Sequence, residues 1–342
     1  MNNTVTQGLP RWLWAVLALA VVGVTLLLFA TDRRPEPGPA LVYDVSKYES
    51  VDPAQVRYRE TARLPLDLQE PTGLAVTWDG RMLVTGNSVL LVLTASGEEL
   101  SRRDFGRELQ CIACAPDGAV YLGTRDAVIL LPSPDGAPEA WESLGEETWL
   151  TSLAANETHV YAADSGNARV LQYDRTGRLV RQLGGKGNVD GGPKFIVPSH
   201  YFDLAFDRMG SLWVVNPGKL GLENYREDGS LLSVWHQPGM DVNSFCGCCN
   251  PIHIAFLNGN VLAAAEKGIN RVKVLAADRS FLGVVAPPEQ INEGWTPSDE
   301  AYAPAPVRDL AVNGDNRILV LHGPLHSVLV FEEAAAPGKD AE

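Results

Sequence analysis

Three cysteines within four residues, Cys246, Cys248 and Cys249, stand just ahead of His253 in the string NSFCGCCNPIH. Thiolates and an imidazole at this spacing suit a soft metal, zinc or copper. The same thiols can instead close a disulfide in an oxidising compartment. Cys246 would then bridge to a loop neighbour or to Cys111, because a Cys248–Cys249 bridge is strained. A redox-active thiol pair is the third chemistry open to them. An iron–sulfur cluster usually needs four cysteines, and CxCC is not one of its spacings. Cys111-Ile-Ala-Cys114 is followed by Ala115 and not by His, so covalent haem is excluded. No GxSxG, HExxH, P-loop or strand-to-helix GxGxxG occurs. The glycine string GGKGNVDGG carries one Lys but no helical pattern follows it, which argues against a phosphate cradle.

A second set of polar residues emerges from an internal repeat. Six short apolar runs recur: GLAVTWDG (73–80), CIACAPDG (111–118), SLAANETH (152–159), DLAFDRMG (203–210), HIAFLNGN (253–260) and DLAVNGDN (309–316), spaced by 38, 41, 51, 50 and 56 residues. Their first positions are Gly73, Cys111, Ser152, Asp203, His253 and Asp309. Two residues on stands a row of alanines, Ala75, Ala113, Ala154, Ala205, Ala255 and Ala311, read as close packing of neighbouring strands. If the runs are equivalent strands around an axis, the polar first positions lie at one height around a channel. Asp203, Asp309 and Ser152 are then candidate ligands there, with His253 and Cys111 beside them. The plainer alternative is that these groups hydrogen-bond to channel water.

Each unit continues with two or three further β-rich runs separated by Gly, Asp and Asn turns, which is the pattern of four-stranded propeller blades. The expected fold is therefore an all-β, six-bladed β-propeller. The sixth unit lacks a fourth strand, and QVRYRETARL (55–64) alternates as a strand before the first unit. It is expected to close the ring as the outer strand of blade six. Three connections, 184–201, 236–252 and 284–307, are long enough to be functional and would leave on one face, beside blades four to six. Trp213, Trp235 and Trp295 read as packing or loop anchors.

The third unit reads ADSGNARVLQYDRTGRLVRQLG and the fifth AEKGINRVKVLAADRSFLGVV. Both resemble the NHL repeat, with Asp164 matched by Glu266, Arg169 by Arg271 and Val170 by Val272. The sixth unit departs, with His322 and Ser327 at the acidic and Arg positions. The acidic and Arg positions read mainly as structural pairs between strands. The stretch FCGCCNP…EKG…RVKV is similar to bacterial membrane-anchored NHL-like proteins. The resemblance implies an NHL-like propeller and no particular reaction, because such propellers include binding scaffolds and metal-dependent enzymes.

Trp12 to Thr31 is a run of 20 uncharged residues, enough to span about 30 Å as a helix. Trp12 and Trp14 fit an interfacial belt, and Leu28-Phe29-Ala30 is a poor signal-peptidase site. The expected organisation is a short tail (1–11), one transmembrane anchor (12–31), a Pro-rich linker (32–54), the propeller (55–333) and a polar tail (334–342). The net charge of −14 across 342 residues argues against nucleic acid as a partner. We read the chain as a single-pass membrane protein whose propeller stands on the extracytoplasmic, periplasmic side. Its partners are membrane lipid and a protein docked on the loop face, in a complex that could handle electrons or metal. The alternative is a metal-dependent hydrolase or lyase with an axial Asp/His/Cys site. Neither reading fixes a cofactor.

Overall fold

The computed structural model describes residues 11–31, 46–185, 192–247, 249–296 and 304–335. Most of the short tail, residues 32–45 of the linker, most of the glycine string, Cys248, residues 297–303 of the third long loop and the tail from 336 onward lie outside them. The chain divides into two units, Met1–Val45 and Ser46–Glu342.

In the first unit a helix runs from Arg11 to Thr31. Its side chains are described between positions 12 and 25, apart from position 17, and Trp12, Trp14, Leu19 and Val21 are exposed there. Among the described residues, no helix is long and apolar enough to cross a membrane.

The second unit is the expected six-bladed propeller, six antiparallel sheets of four strands each. The inner strands are Pro71–Val76, Cys111–Cys114, Leu150–Ala155, Leu204–Phe206, His253–Leu257 and Val307–Val312, for blades one to six. Among the described residues, six hydrophobic clusters hold the unit together, one at each seam between neighbouring blades. The seam between blades one and two, for example, packs Leu83, Leu90 and Val92 against Ile112, Val120 and Leu122. Ala75, Ala113, Ala154 and Ala255 are buried in these seams, which supports the packing reading of the alanine row.

The ring closes as the alternation predicts. Strand Tyr58–Pro65 runs antiparallel to Ser327–Glu333, from Tyr58 opposite Glu333 to Pro65 opposite Ser327, with a bulge at Thr61. The strand begins three residues later than the expected 55, because Val56 bridges instead to Val284 on the outer strand of blade five. It turns Ala62 and Leu64 inward and Arg59 and Arg63 outward.

Candidate functional site

The innermost strand of each blade has no partner on its axial side, so its inward N–H groups need other acceptors. The ring residues supply them across the seams. Ser152 Oγ accepts from the Leu204 N–H at 3.1 Å, and Asp203 Oδ2 from the Ile254 N–H at 2.8 Å. Asp309 Oδ2 accepts from the Leu74 N–H at 2.7 Å, and its Oδ1 from the adjacent Leu310 N–H at 2.7 Å. Each of these side chains thus fastens its own blade to the next. Two hydroxyls add to the collar: Thr72 donates to the Leu109 carbonyl at 2.7 Å and Thr151 to that of Phe202 at 2.6 Å. Sequence reasoning missed this pair. The signal was a Thr directly before the ring position in two of the six units.

His253 is the exception in the ring. Its Nδ1 is buried without a hydrogen-bond partner, 3.9 Å from Asp203 Oδ2 and 3.8 Å from Asp309 Oδ1. Burial, with the Arg308 charge nearby, pushes the imidazole down to about 3, so it is neutral at physiological pH. Burial raises the Asp203 carboxyl to about 6, against the pull of Ser152 and two backbone N–H groups. Burial and the Asp203 charge raise Asp309 well above its ordinary range.

These shifts oppose each other in the pH dependence of folding. The folded state holds the Asp203 proton up to about pH 6, while the unfolded chain releases it near 3.8. Its contribution to stability therefore falls as pH rises across that window. Asp309 acts with the same sign. His253 stays neutral down to about pH 3 in the fold but charges near 6.5 when unfolded, so its contribution falls as pH drops below 6.5. Relative to the parent, Asp203→Asn should become more sensitive to acid, and His253→Gln more sensitive to rising pH between about 4 and 6. Urea midpoints taken in small steps from about pH 4 to 8 test this; two variants that both track the parent curve would refute it.

Above the ring, on the face that receives the long loops, lies a pocket of about 330 Å³. Its walls include Trp149, His200, Tyr201, His253, Lys267 and Arg308. Trp149 and His200 stack at 4.3 Å with 14° between their planes. Tyr201 meets His253 edge-on at 6.4 Å. The Ser165 hydroxyl and His200 Nδ1, 2.9 Å apart, hold the His200 ring in place.

The thiol loop is built into the fold rather than laid over it. Phe245 is fully buried in the seam of blades four and five, with Trp235 and Ile254. Beneath it Glu266 pairs with Arg271 at 2.6 Å and with Lys273 at 3.1 Å, all three buried. Lys273 Nζ also donates to the Ser244 carbonyl at 2.5 Å. Asn250 ties the loop to blade five, donating to the carbonyls of Cys246 and Lys267 and accepting from the Lys267 N–H. The loop thus belongs to the core of this seam. In blade three the matching pair, Asp164 and Arg169, sits at 2.8 Å.

The four described cysteines do not form one centre. Cys111 packs in the seam of blades two and three, so close to Gly123 that a Cβ there would fall 2.4 Å from its sulfur. Cys246 is buried beside the Glu266 cluster, and Cys249 Sγ accepts from the Ser199 hydroxyl at 3.0 Å, behind the pocket wall. Among the described cysteines there is no disulfide. Burial raises the thiol pKa of Cys111, Cys114 and Cys246, which disfavours the reactive thiolate. Among the described residues, no group of three or more His, Cys, Asp or Glu could hold a metal ion. The chemistry agrees, because the ring carboxylates already accept backbone N–H bonds. Among the described residues, which exclude Cys248, none of the placed candidates forms a zinc or copper set.

No protein-family model matches the sequence, and no curated protein matches it. Solved structures share the fold. A streptogramin B lyase superposes with a TM-score of 0.51 at 11% identity, over 83% of this chain and 100% of that one. Virginiamycin B lyase from Staphylococcus aureus gives 0.50 at 14%, over 82% and 90%. A Bacteroides thetaiotaomicron protein of unknown function gives 0.54 at 13%, over 80% and 72%. At these identities the likeness shows the propeller alone.

Proposed function

We propose that this chain is a membrane-anchored, NHL-like propeller acting as a binding module, with its loop face turned to a partner on the extracytoplasmic side. The observation that carries the binding role is the pocket at the channel mouth, to which every blade or its entry loop contributes. The carboxylates beneath it are engaged in holding blades together, an arrangement that favours holding a ligand over transforming one. The anchor rests on the uncharged run from Trp12 to Thr31 in the sequence alone, since no helix among the described residues is long and apolar enough to cross a membrane. The NHL type rests on the Asp164–Arg169 and Glu266–Arg271 pairs. A second reading, a hydrolase or lyase at the same place, draws on the unpartnered Nδ1 of His253. The metal it was expected to use has no fitting set of described residues.

A photo-crosslinking side chain tests the binding role. Placed at Ile196, half-exposed in the loop entering blade four, it should give a discrete adduct in membranes. Placed at Met209, 82% exposed in a turn at the opposite end of the inner strand, it should give none. Equal labelling at both sites, or none at either, would remove the reading. The full chain should resist alkaline extraction from membranes, and a chain beginning at Ser46 should not.

A further inference from the structure

Among the described residues, the pocket brings two cations together with no anion paired to either. Lys267 Nζ lies 4.6 Å from the centre of the Tyr201 ring, and Arg308 lines the same cavity. Among the described residues neither makes an ion pair, whereas Arg63, Arg81, Arg102, Arg169, Arg175 and Arg271 all do. The Nε of Arg308 is buried with no hydrogen-bond partner. A buried guanidinium N–H without an acceptor is costly and calls for an explanation.

The surrounding chain keeps the guanidinium in this position. A Cβ on Gly323 would fall 2.2 Å from Arg308 Nε and 3.0 Å from its Cζ, so only glycine leaves room for it. Of the neighbouring carboxylates, Glu70 acts on Arg308 through its charge but is exposed and makes no ion pair with it. Asp203 and Asp309 are engaged by backbone N–H groups below His253. A local positive pole therefore stands at the channel mouth of a chain with net charge −14. The Trp149–His200 stack and Tyr201 supply flat apolar walls.

We propose that this pocket binds a small organic acid, its carboxylate held by Arg308 and Lys267 and its flat or apolar body lying against the aromatic walls. The planar fork of Arg matches a carboxylate with two parallel hydrogen bonds. A cavity of about 330 Å³ is at the lower end for small-molecule sites, which favours a ligand with a single ring or a short chain. The inference rests on the pocket's own residues, and it stands whether or not a protein docks on the loop face.

The test uses the full chain in mild detergent and matched pairs of acid and amide: phenylacetate with phenylacetamide, 3-phenylpropionate with its amide, and hexanoate with hexanamide. Inorganic phosphate is included as a competing anion. Ligand-observed NMR titrations to about 10 mM reach the weak affinities expected of such fragments. At least one acid should bind about tenfold or more tightly than its amide. Arg308→Gln should erase that preference with the melting temperature little changed, and Gly323→Ala should reduce it by displacing the guanidinium. Three outcomes would overturn the proposal: acids and amides binding alike or not at all, phosphate outcompeting every acid, or a preference that survives Arg308→Gln. Acids and amides binding alike while Ile196 still crosslinks would remove the carboxylate and keep the binding role. Acid preference without crosslinking would do the reverse.

Discussion

A chain beginning at Glu70 should fail to form a stable monomeric propeller. It lacks the strand Tyr58–Pro65, which pairs along the last strand of blade six, and with it Leu64, Leu66 and Leu68. These three leucines are buried in the seam between blades six and one, beside Leu91 and Val328. Returning each to water forfeits about 2 kcal/mol. The sum is comparable with the whole stability of an ordinary domain, about 5–15 kcal/mol. Blade six would also present an unpaired apolar edge, so aggregation should accompany the loss. Light scattering and urea unfolding of the shortened and full chains decide the matter. An unchanged midpoint would reduce residues 58–68 to a linker.

The second large effect is expected at Glu266. Its carboxylate is the counter-charge for Arg271 and Lys273, which are 2% and 0% exposed. Glu266→Gln leaves two buried cations facing each other, and loss of one partner from such a cluster costs about 3–5 kcal/mol. Burial already pushes Lys273 down to about 8, and removing the glutamate should push it further. The unfolded chain then binds more protons than the folded one, so the variant should gain stability as pH rises. Urea midpoints at about pH 7 and 9 should show a large deficit that narrows at the higher pH. Glu332→Gln breaks a partly exposed pair with Arg59 and should cost less than about 1 kcal/mol. If the two variants behave alike, the buried cluster has been misread.

The repeat was legible because each blade must alternate apolar runs and tight turns, a pattern that survives in one dimension. The closing strand was legible for the same reason: RYRETARL alternates, and the last unit needed a fourth strand. The ring residues were legible as a set, since equivalent strands put Ser152, Asp203, His253 and Asp309 at one height. Their chemistry was not. Whether an Asp binds a ligand or a neighbouring N–H depends on the distance to the next blade, and only the fold sets that distance. Arg308 and Lys267 were invisible for a related reason. Among the 28 Lys and Arg residues of the sequence nothing marks these two, because lacking a partner is a property of three-dimensional surroundings. The thiol string drew attention by composition alone, and burial of Cys246 and Phe245 within a seam could not be read from it.

The seam that closes the ring also sets an order in time. Arg59 and its partner Glu332 are 273 residues apart. At about 5–20 residues per second, the first strand waits tens of seconds after its synthesis before its partner exists. During that interval it is a lone strand with a free edge, the form most prone to pair with the wrong chain. Its outward residues include Arg59 and Arg63, with Glu60 between them, and charges at such positions discourage stray pairing. The residues that later form ion pairs along the finished edge thus first guard the nascent chain while it is still incomplete.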